Sequence, residues 1–260
     1  MPRQCDELDY RLVGDDLQAV VVTLDPNEQV IAEAGSMLYM MDGVEMQTEV
    51  ATDNKGGLLG GLMKAAGRVL TGESFFITTF SNGGANRADV AFAAPFPGKI
   101  LAVDLDEHGG KLTCQKDSFL CAARGTEIAV AFQKKLGVGI FGGEGFILQR
   151  LQGDGLAFIH AGGTLIEHTL KAGERLRVDA GCVAAFDDSV QYDIQFVGGF
   201  KNALFGGEGL FFANLTGPGR VYLQTLPFSR MSDRIVSSAS HMSHRSRDDG
   251  NFLSGFLKSS

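Results

Sequence analysis

The sequence predicts an all-β protein made of three copies of one sandwich- or barrel-forming unit, able to close around a pseudo-threefold axis. Three observations predict it. The chain has 35 Gly against 6 Pro, a balance that suits tight turns and bulges rather than linkers. Its 19 Phe and its β-branched residues fall between those glycines, as sheet cores require. Finally, a Gly-Glu pair opening an apolar run occurs three times, at Gly72-Glu73-Ser74-Phe75-Phe76, Gly143-Glu144-Gly145-Phe146-Ile147 and Gly207-Glu208-Gly209-Leu210-Phe211.

The surroundings of the pair repeat as well, which a chance dipeptide would not do. A glycine-rich apolar stretch with positive charge precedes each, at residues 56–68, 134–142 and 198–206. Turns follow at Asn82-Gly83-Gly84, Gly153-Asp154-Gly155 and Thr216-Gly217-Pro218-Gly219, and then strands at Lys99–Val103, Leu156–His160 and Arg220–Gln224. Upstream, the segments starting at Val30, Lys111 and Arg175 correspond, and Leu176 and Val178 show the period-two alternation of a strand with one buried face. The repeats span about 8–107, 108–172 and 173–230, forming a single domain over 1–230. One short helix is expected near 57–70, broken by its glycines at ~1 kcal/mol each relative to Ala. From Met231 Ser residues crowd between charges, so 231–260 reads as a disordered tail.

Net charge is −8 and the sequence pI is near 5.1, which repels phosphate backbones and makes nucleic acid a poor partner. Met1–Tyr10 carries Asp6, Glu7 and Asp9 and no apolar core, unlike a secretory signal or an Arg-rich transit peptide. No apolar run approaches the ~20 residues of a membrane span. Cys5, Cys114, Cys121 and Cys182 show no CxxC spacing and read as reduced thiols. The expected location is cytoplasmic, with peripheral contact to membranes.

The repeated Gly-Glu-[Gly/Ser]-Phe/Leu strand behind a glycine-rich loop, together with Ala34-Gly35-Ser36-Met37, resembles the altered-inheritance-of-mitochondria protein 24 family over about residues 8–230. The resemblance implies a fold like that of the tryptophan RNA-binding attenuation protein, a β-sandwich or double-stranded β-helix type, triplicated in one chain. Mitochondrial members are linked to inner-membrane organisation; this sequence lacks their targeting extension, so the resemblance carries no compartment. It brings no catalytic residues.

The motifs that could carry chemistry favour structure over catalysis. Gly137-Val138-Gly139-Ile140-Phe141-Gly142 matches G-x-G-x-x-G, but a strand rather than a helix is expected after it, so it reads as a loop and not a dinucleotide site. His160 and His168 flank Gly162-Gly163 and would face each other across a hairpin; as a metal site they would need further ligands. Asp187-Asp188 reads as a solvated turn. With no G-x-S-x-G and no activated Cys or Ser, the sequence points to no enzyme and no cofactor. Glu73, Glu144 and Glu208 read as carboxylates that tie their loops to backbone N–H groups.

Lys64, Arg68, Lys134, Lys135 and Lys201 sit in the glycine-rich stretches, where acidic residues are absent. If these loops gather at one end, they give an acidic protein an apolar, basic rim suited to an anionic membrane surface or a partner subunit. The alternative is that their apolar residues fold inward. The expectation is a non-catalytic interaction and assembly protein that forms homo-oligomers, with a nucleic-acid- or small-ligand-binding β module as the other reading.

Overall fold

The computed structural model describes residues 4–33, 35–50, 76–134, 146–197, 210–236 and 238. Among them nineteen strands follow in chain order. The first seven are β1 (Asp9–Val13), β2 (Ala19–Leu24), β3 (Gln29–Glu33), β4 (Met37–Met40), β5 (Val44–Val50), β6 (Phe76–Asn82) and β7 (Ala88–Ala93). Next come β8 (Gly98–Asp104), β9 (Lys111–Gln115), β10 (Phe119–Ala123), β11 (Glu127–Lys134), β12 (Phe146–Gln152) and β13 (Leu156–Gly162). The last are β14 (Leu165–Leu170), β15 (Arg175–Asp179), β16 (Val183–Asp187), β17 (Gln191–Val197), β18 (Leu210–Thr216) and β19 (Gly219–Gln224). A helix, α1, covers residues 228–236; the helix expected near 57–70 lies outside the described residues.

Local chemistry sets the turns. Between β2 and β3 the chain reverses over Asp25–Glu28, with Asn27 at φ 70°, a left-handed conformation that Asn tolerates better than most residues. The Glu28 carboxylate accepts from Asp25 N at 2.8 Å. Between β14 and β15 the same device recurs, with Gly173 at φ 77° and the Glu174 carboxylate accepting from Lys171 N at 2.9 Å.

The strands form four antiparallel sheets, ordered β1-β2-β7-β4, β5-β6-β3-β10-β13-β8, β11-β12-β9-β16-β19-β14 and β15-β18-β17. One pattern of pairing occurs three times. In the first segment β6 lies between β5 and β3, and β7 between β2 and β4. In the second, β12 lies between β11 and β9, and β13 between β8 and β10. In the third, β18 lies between β17 and β15, and β19 between β14 and β16. Two junctions sew neighbours together, β3 with β10 and β9 with β16. The corresponding third couple, β4 and β15, is not joined, and among the described residues each is the edge of its sheet.

This pattern moves two boundaries read from the sequence. The second and third segments begin at β8 and β14, near residues 98 and 165 rather than 108 and 173. In the first segment the strand after the Asn82 turn is Ala88–Ala93, and Lys99–Val103 instead opens the second segment. Ala88–Ala93 holds three alanines and so has a weak β signature.

Among the described residues three cores lie between the sheets. Val20, Val22, Val90 and Phe92 of the first sheet pack with Val30, Phe80, Leu120 and Phe158 of the second. Ile31, Phe119 and Ile159 of the second meet Leu112, Leu151 and Tyr222 of the third. Leu148, Phe186 and Val221 of the third meet Ile194, Phe211 and Leu215 of the fourth. Full burial of each such large apolar side chain contributes roughly 1.5–3 kcal/mol, so the cores, shared across segments, hold the stack together.

The chain start is tied down by the Gly153-Asp154-Gly155 turn. The Asp154 carboxylate accepts from Gln4 N at 2.7 Å and Cys5 N at 2.9 Å, and Cys5 fills the space beside Gly155, where a Cβ would come within 2.5 Å of the Cys5 Cβ. At the other end Phe228 of α1 stacks near Phe96 at 5.3 Å between ring centroids, and Arg230 pairs with Asp179 at 2.7 Å. Regular structure thus continues to residue 236, beyond the tail boundary expected at 231.

Candidate functional site

Most residues singled out in the sequence lie outside the described residues: Lys64, Arg68, Lys135, Lys201, Glu73, Glu144, Glu208 and the Gly137–Gly142 stretch. Lys134 is the last residue of β11, paired with Phe146. The three glycine-rich segments link the paired strands β5 and β6, β11 and β12, and β17 and β18.

The facing histidines do not form. His160 lies on β13, which pairs with β8 and β10 in the second sheet, and His168 lies on β14, paired with β19 in the third. The Gly162-Gly163 turn is therefore a crossing between sheets and not a hairpin. Asp187 is likewise not a solvated turn residue. It ends β16, accepts from Arg220 N at 2.8 Å, and lies 2.5 Å from His108 Nδ1. Burial pushes its carboxyl up, but the His108 and Arg220 bonds win and leave it below the ordinary value. Asp188 pairs with Arg150 at 2.9 Å.

The titratable cluster that the sequence does not reveal sits where the first segment meets the second. A cleft of about 100 Å³ is lined there by Glu33, Ser36, Pro95, Asp117, Phe119 and His160. Glu33 ends β3, and the Ser36 hydroxyl donates to its carbonyl at 2.8 Å. Burial raises the Glu33 carboxyl from 4.5 to about 7; the Asp117 charge adds to this and Lys116 offsets part of it. His160 is 2% exposed, with Phe96 edge-on at 4.6 Å. Its Nδ1 has no hydrogen-bond partner among the described residues. Burial lowers its pKa from 6.5 to about 4, against a backbone hydrogen bond at Phe96.

The corresponding position between the second and third segments holds an uncharged pair. Register places Gln115 on β9 where Glu33 stands on β3, and Gln224 on β19 where His160 stands on β13. Gln224 Nε2 donates to Gln115 Oε1 and to the Gly181 carbonyl, both at 2.9 Å, and its Oε1 accepts from Gly162 N at 2.9 Å. One junction thus buries a satisfied amide pair; the other buries two groups whose charged forms are disfavoured.

All four cysteines are unpaired, and burial pushes the Cys114 and Cys121 thiols up, which suppresses thiolate chemistry. Among the described residues, no three His, Cys, Asp or Glu are arranged to hold a metal ion, and no helix is long and apolar enough to cross a membrane.

A second feature lies on the first sheet. Every residue of β4, Met37 to Met40, is exposed, as is Met41 after it. The counterparts are buried throughout in β10, and at four of five positions in β16. On the opposite edge of the same sheet β1 adds exposed Tyr10, Leu12 and Val13. Nothing in the sequence warns of this exposure, because a continuous apolar run is the usual mark of a strand buried on both faces.

Stacked antiparallel sheets with polar side chains at the joints between segments define a mostly-β, multi-sheet sandwich protein. The chain belongs to the mitochondrial biogenesis AIM24 family, whose profile matches residues 10–226. An uncharacterized protein of Streptococcus pyogenes serotype M6 is 30% identical over 218 residues, which cover 83% of this chain and 84% of that one. A crystal structure of a Streptococcus pyogenes protein superposes with a TM-score of 0.69 at 24% identity, covering 89% of this chain and 100% of that one. That likeness shows the fold.

Proposed function

We propose that the chain is a non-catalytic interaction and assembly protein, built from three copies of one β unit, whose working surfaces are an apolar strand edge and the basic glycine-rich loops. The observation that carries this reading is β4: five consecutive apolar residues stand exposed where the same position in the other two segments is core. A contiguous apolar surface of this kind marks an interaction site, and an unpaired strand edge offers a row of N–H and C=O groups to a partner. Lys64, Arg68, Lys134, Lys135 and Lys201 extend the reading to an anionic membrane surface, each basic group contributing about 1 kcal/mol near such a bilayer.

Two measurements test it together: light scattering of the purified chain, and sedimentation with phosphatidylserine vesicles at low and high salt. The expected result is self-association, or vesicle binding that Lys64→Glu, Arg68→Glu, Lys134→Glu and Lys135→Glu jointly abolish. A chain that stays monomeric and ignores vesicles at low salt sinks the reading.

A further inference from the structure

We infer that the exposed β4 edge is completed by β15 of a second copy of this chain, added antiparallel in the register that the two internal junctions already use. The inference rests on the interaction reading above and names its partner.

The internal junctions supply the template. β10 meets β3 through Cys121↔Ala32, Ala122↔Ile31 and Ala123↔Val30. β16 meets β9 through Ala185↔Cys114, Phe186↔Thr113 and Asp187↔Leu112. In each case the accepting strand carries a bulge just before the junction: between Phe119 and Cys121 in β10, and between Val183 and Ala185 in β16. β4 has the same bulge, between Met37 and Tyr39, so Tyr39 stands where Cys121 and Ala185 stand. On the donating side Val178 occupies the place of Ala32 and Cys114. Carried over, the register is Tyr39↔Val178, Met40↔Arg177 and Met41↔Leu176, and Asp42 falls opposite Arg175.

Burial follows the same division. β3 and β9 are mostly buried, whereas Arg175 and Arg177 of β15 are exposed and its other residues are half-buried. Among the six strands that occupy the two junction positions, β4 and β15 are the most exposed, while the four that pair across segments are mostly buried. β4 carries none of the charges that usually blunt a free edge, while β15 brings two guanidiniums; Arg177 stacks over the Phe212 ring at 4.7 Å. Asp42 opposite Arg175 makes the couple electrostatically complementary.

The second copy, and not the same chain, is the occupant. The cores join first sheet to second, second to third and third to fourth, and among the described residues no core cluster joins the first to the fourth. A junction in which β4 and β15 differ is heterologous, so two copies close with two identical junctions, or several copies close a larger ring.

The test uses the full chain. Tyr39→Cys and Val178→Cys variants are purified separately, mixed, and treated with a short bis-maleimide; the wild type in parallel sets the background from half-buried Cys182. The mixture is expected to yield a covalent two-chain species that neither variant yields alone. Cross-linking confined to single chains of the Tyr39→Cys/Val178→Cys double variant overturns the inference. In light scattering, Met40→Arg, which faces Arg177, is expected to weaken association by about tenfold or more, and adding Arg177→Glu to restore it. A wild type that is monomeric at high micromolar concentration overturns the inference; if it still sediments with vesicles, the interaction reading stands without it.

Discussion

Replacing Glu33 and His160 together by glutamine raises the unfolding free energy at pH 8 by about 2 kcal/mol and removes the acid and neutral limbs of the stability profile. Glu33 has its folded pKa raised from 4.5 to about 7, so its stabilising contribution is full below pH 4.5 and is lost as pH rises through 7. A folded pKa one pH unit away from its unfolded value corresponds to about 1.4 kcal/mol, and the partial exposure of the carboxylate reduces the total. His160 runs the other way: its folded pKa is lowered from 6.5 to about 4, so its contribution is full above pH 6.5 and is lost as pH falls through 4. Between pH 4.5 and 6.5 the two slopes oppose each other. Glu33→Gln alone therefore leaves a stability that climbs from pH 4 to 6.5, and His160→Gln alone one that falls from pH 4.5 to 7. The double variant reproduces the Gln115–Gln224 arrangement and is flat over both intervals with respect to this site. Urea unfolding from pH 4 to pH 8 measures all four curves, and a double variant that tracks the wild type at pH 8 refutes the account.

Alanine at Gly162 costs about 3 kcal/mol, at the upper end of overpacking effects. A Cβ there would lie 2.0 Å from the Leu226 carbonyl oxygen and 3.0 Å from the Phe96 ring. The first neighbour is backbone, held by a Leu226 N–H bond to the Gly162 carbonyl at 3.0 Å. Relief requires moving the approach to α1, so amide exchange over residues 225–236 should quicken. Gly173→Ala is the contrasting case. At φ 77° it has no atom within 4 Å of an added Cβ, and its cost is limited to the left-handed backbone, about 1 kcal/mol. Equal losses at the two sites, judged from urea midpoints at constant m-value, would show that the contact with Leu226 is not what matters.

The fold class is legible in the sequence because alternation and turn glycines are local. The segments starting at Val30, Lys111 and Arg175 correspond in the structure for the same reason, since β3, β9 and β15 occupy one position in the pairing pattern. Lys99–Val103 is assigned to the wrong segment by sequence because the true strand there, rich in alanine, carries little signal. The Glu33–His160 site is invisible in the sequence because its residues are far apart in the chain and meet only through the β3–β10 and β10–β13 pairings. His160 and His168 are close enough in sequence to suggest a facing pair, yet strand β13 leaves for one sheet and β14 for another. Topology, not spacing, decides that separation. Exposure of Met37–Met41 is hidden for a related reason: the same apolar string is core or surface depending on whether a second strand lies beside it.

The two junctions within the chain share a backbone plan but not a side-chain solution, and this has a consequence for how such a protein can change. In an assembly of identical single-unit chains every joint carries the same residues, so a substitution at one is imposed on all. Linking the units covalently releases that constraint. One joint holds the amide pair of Gln115 and Gln224, another a cleft lined by the proton-sensitive Glu33 and His160, and the corresponding position on the edge strand, Asp179, is bound by Arg230 from α1. Each interface can then be tuned by mutation without disturbing its siblings, so one backbone plan supports side-chain contacts that are adjusted independently.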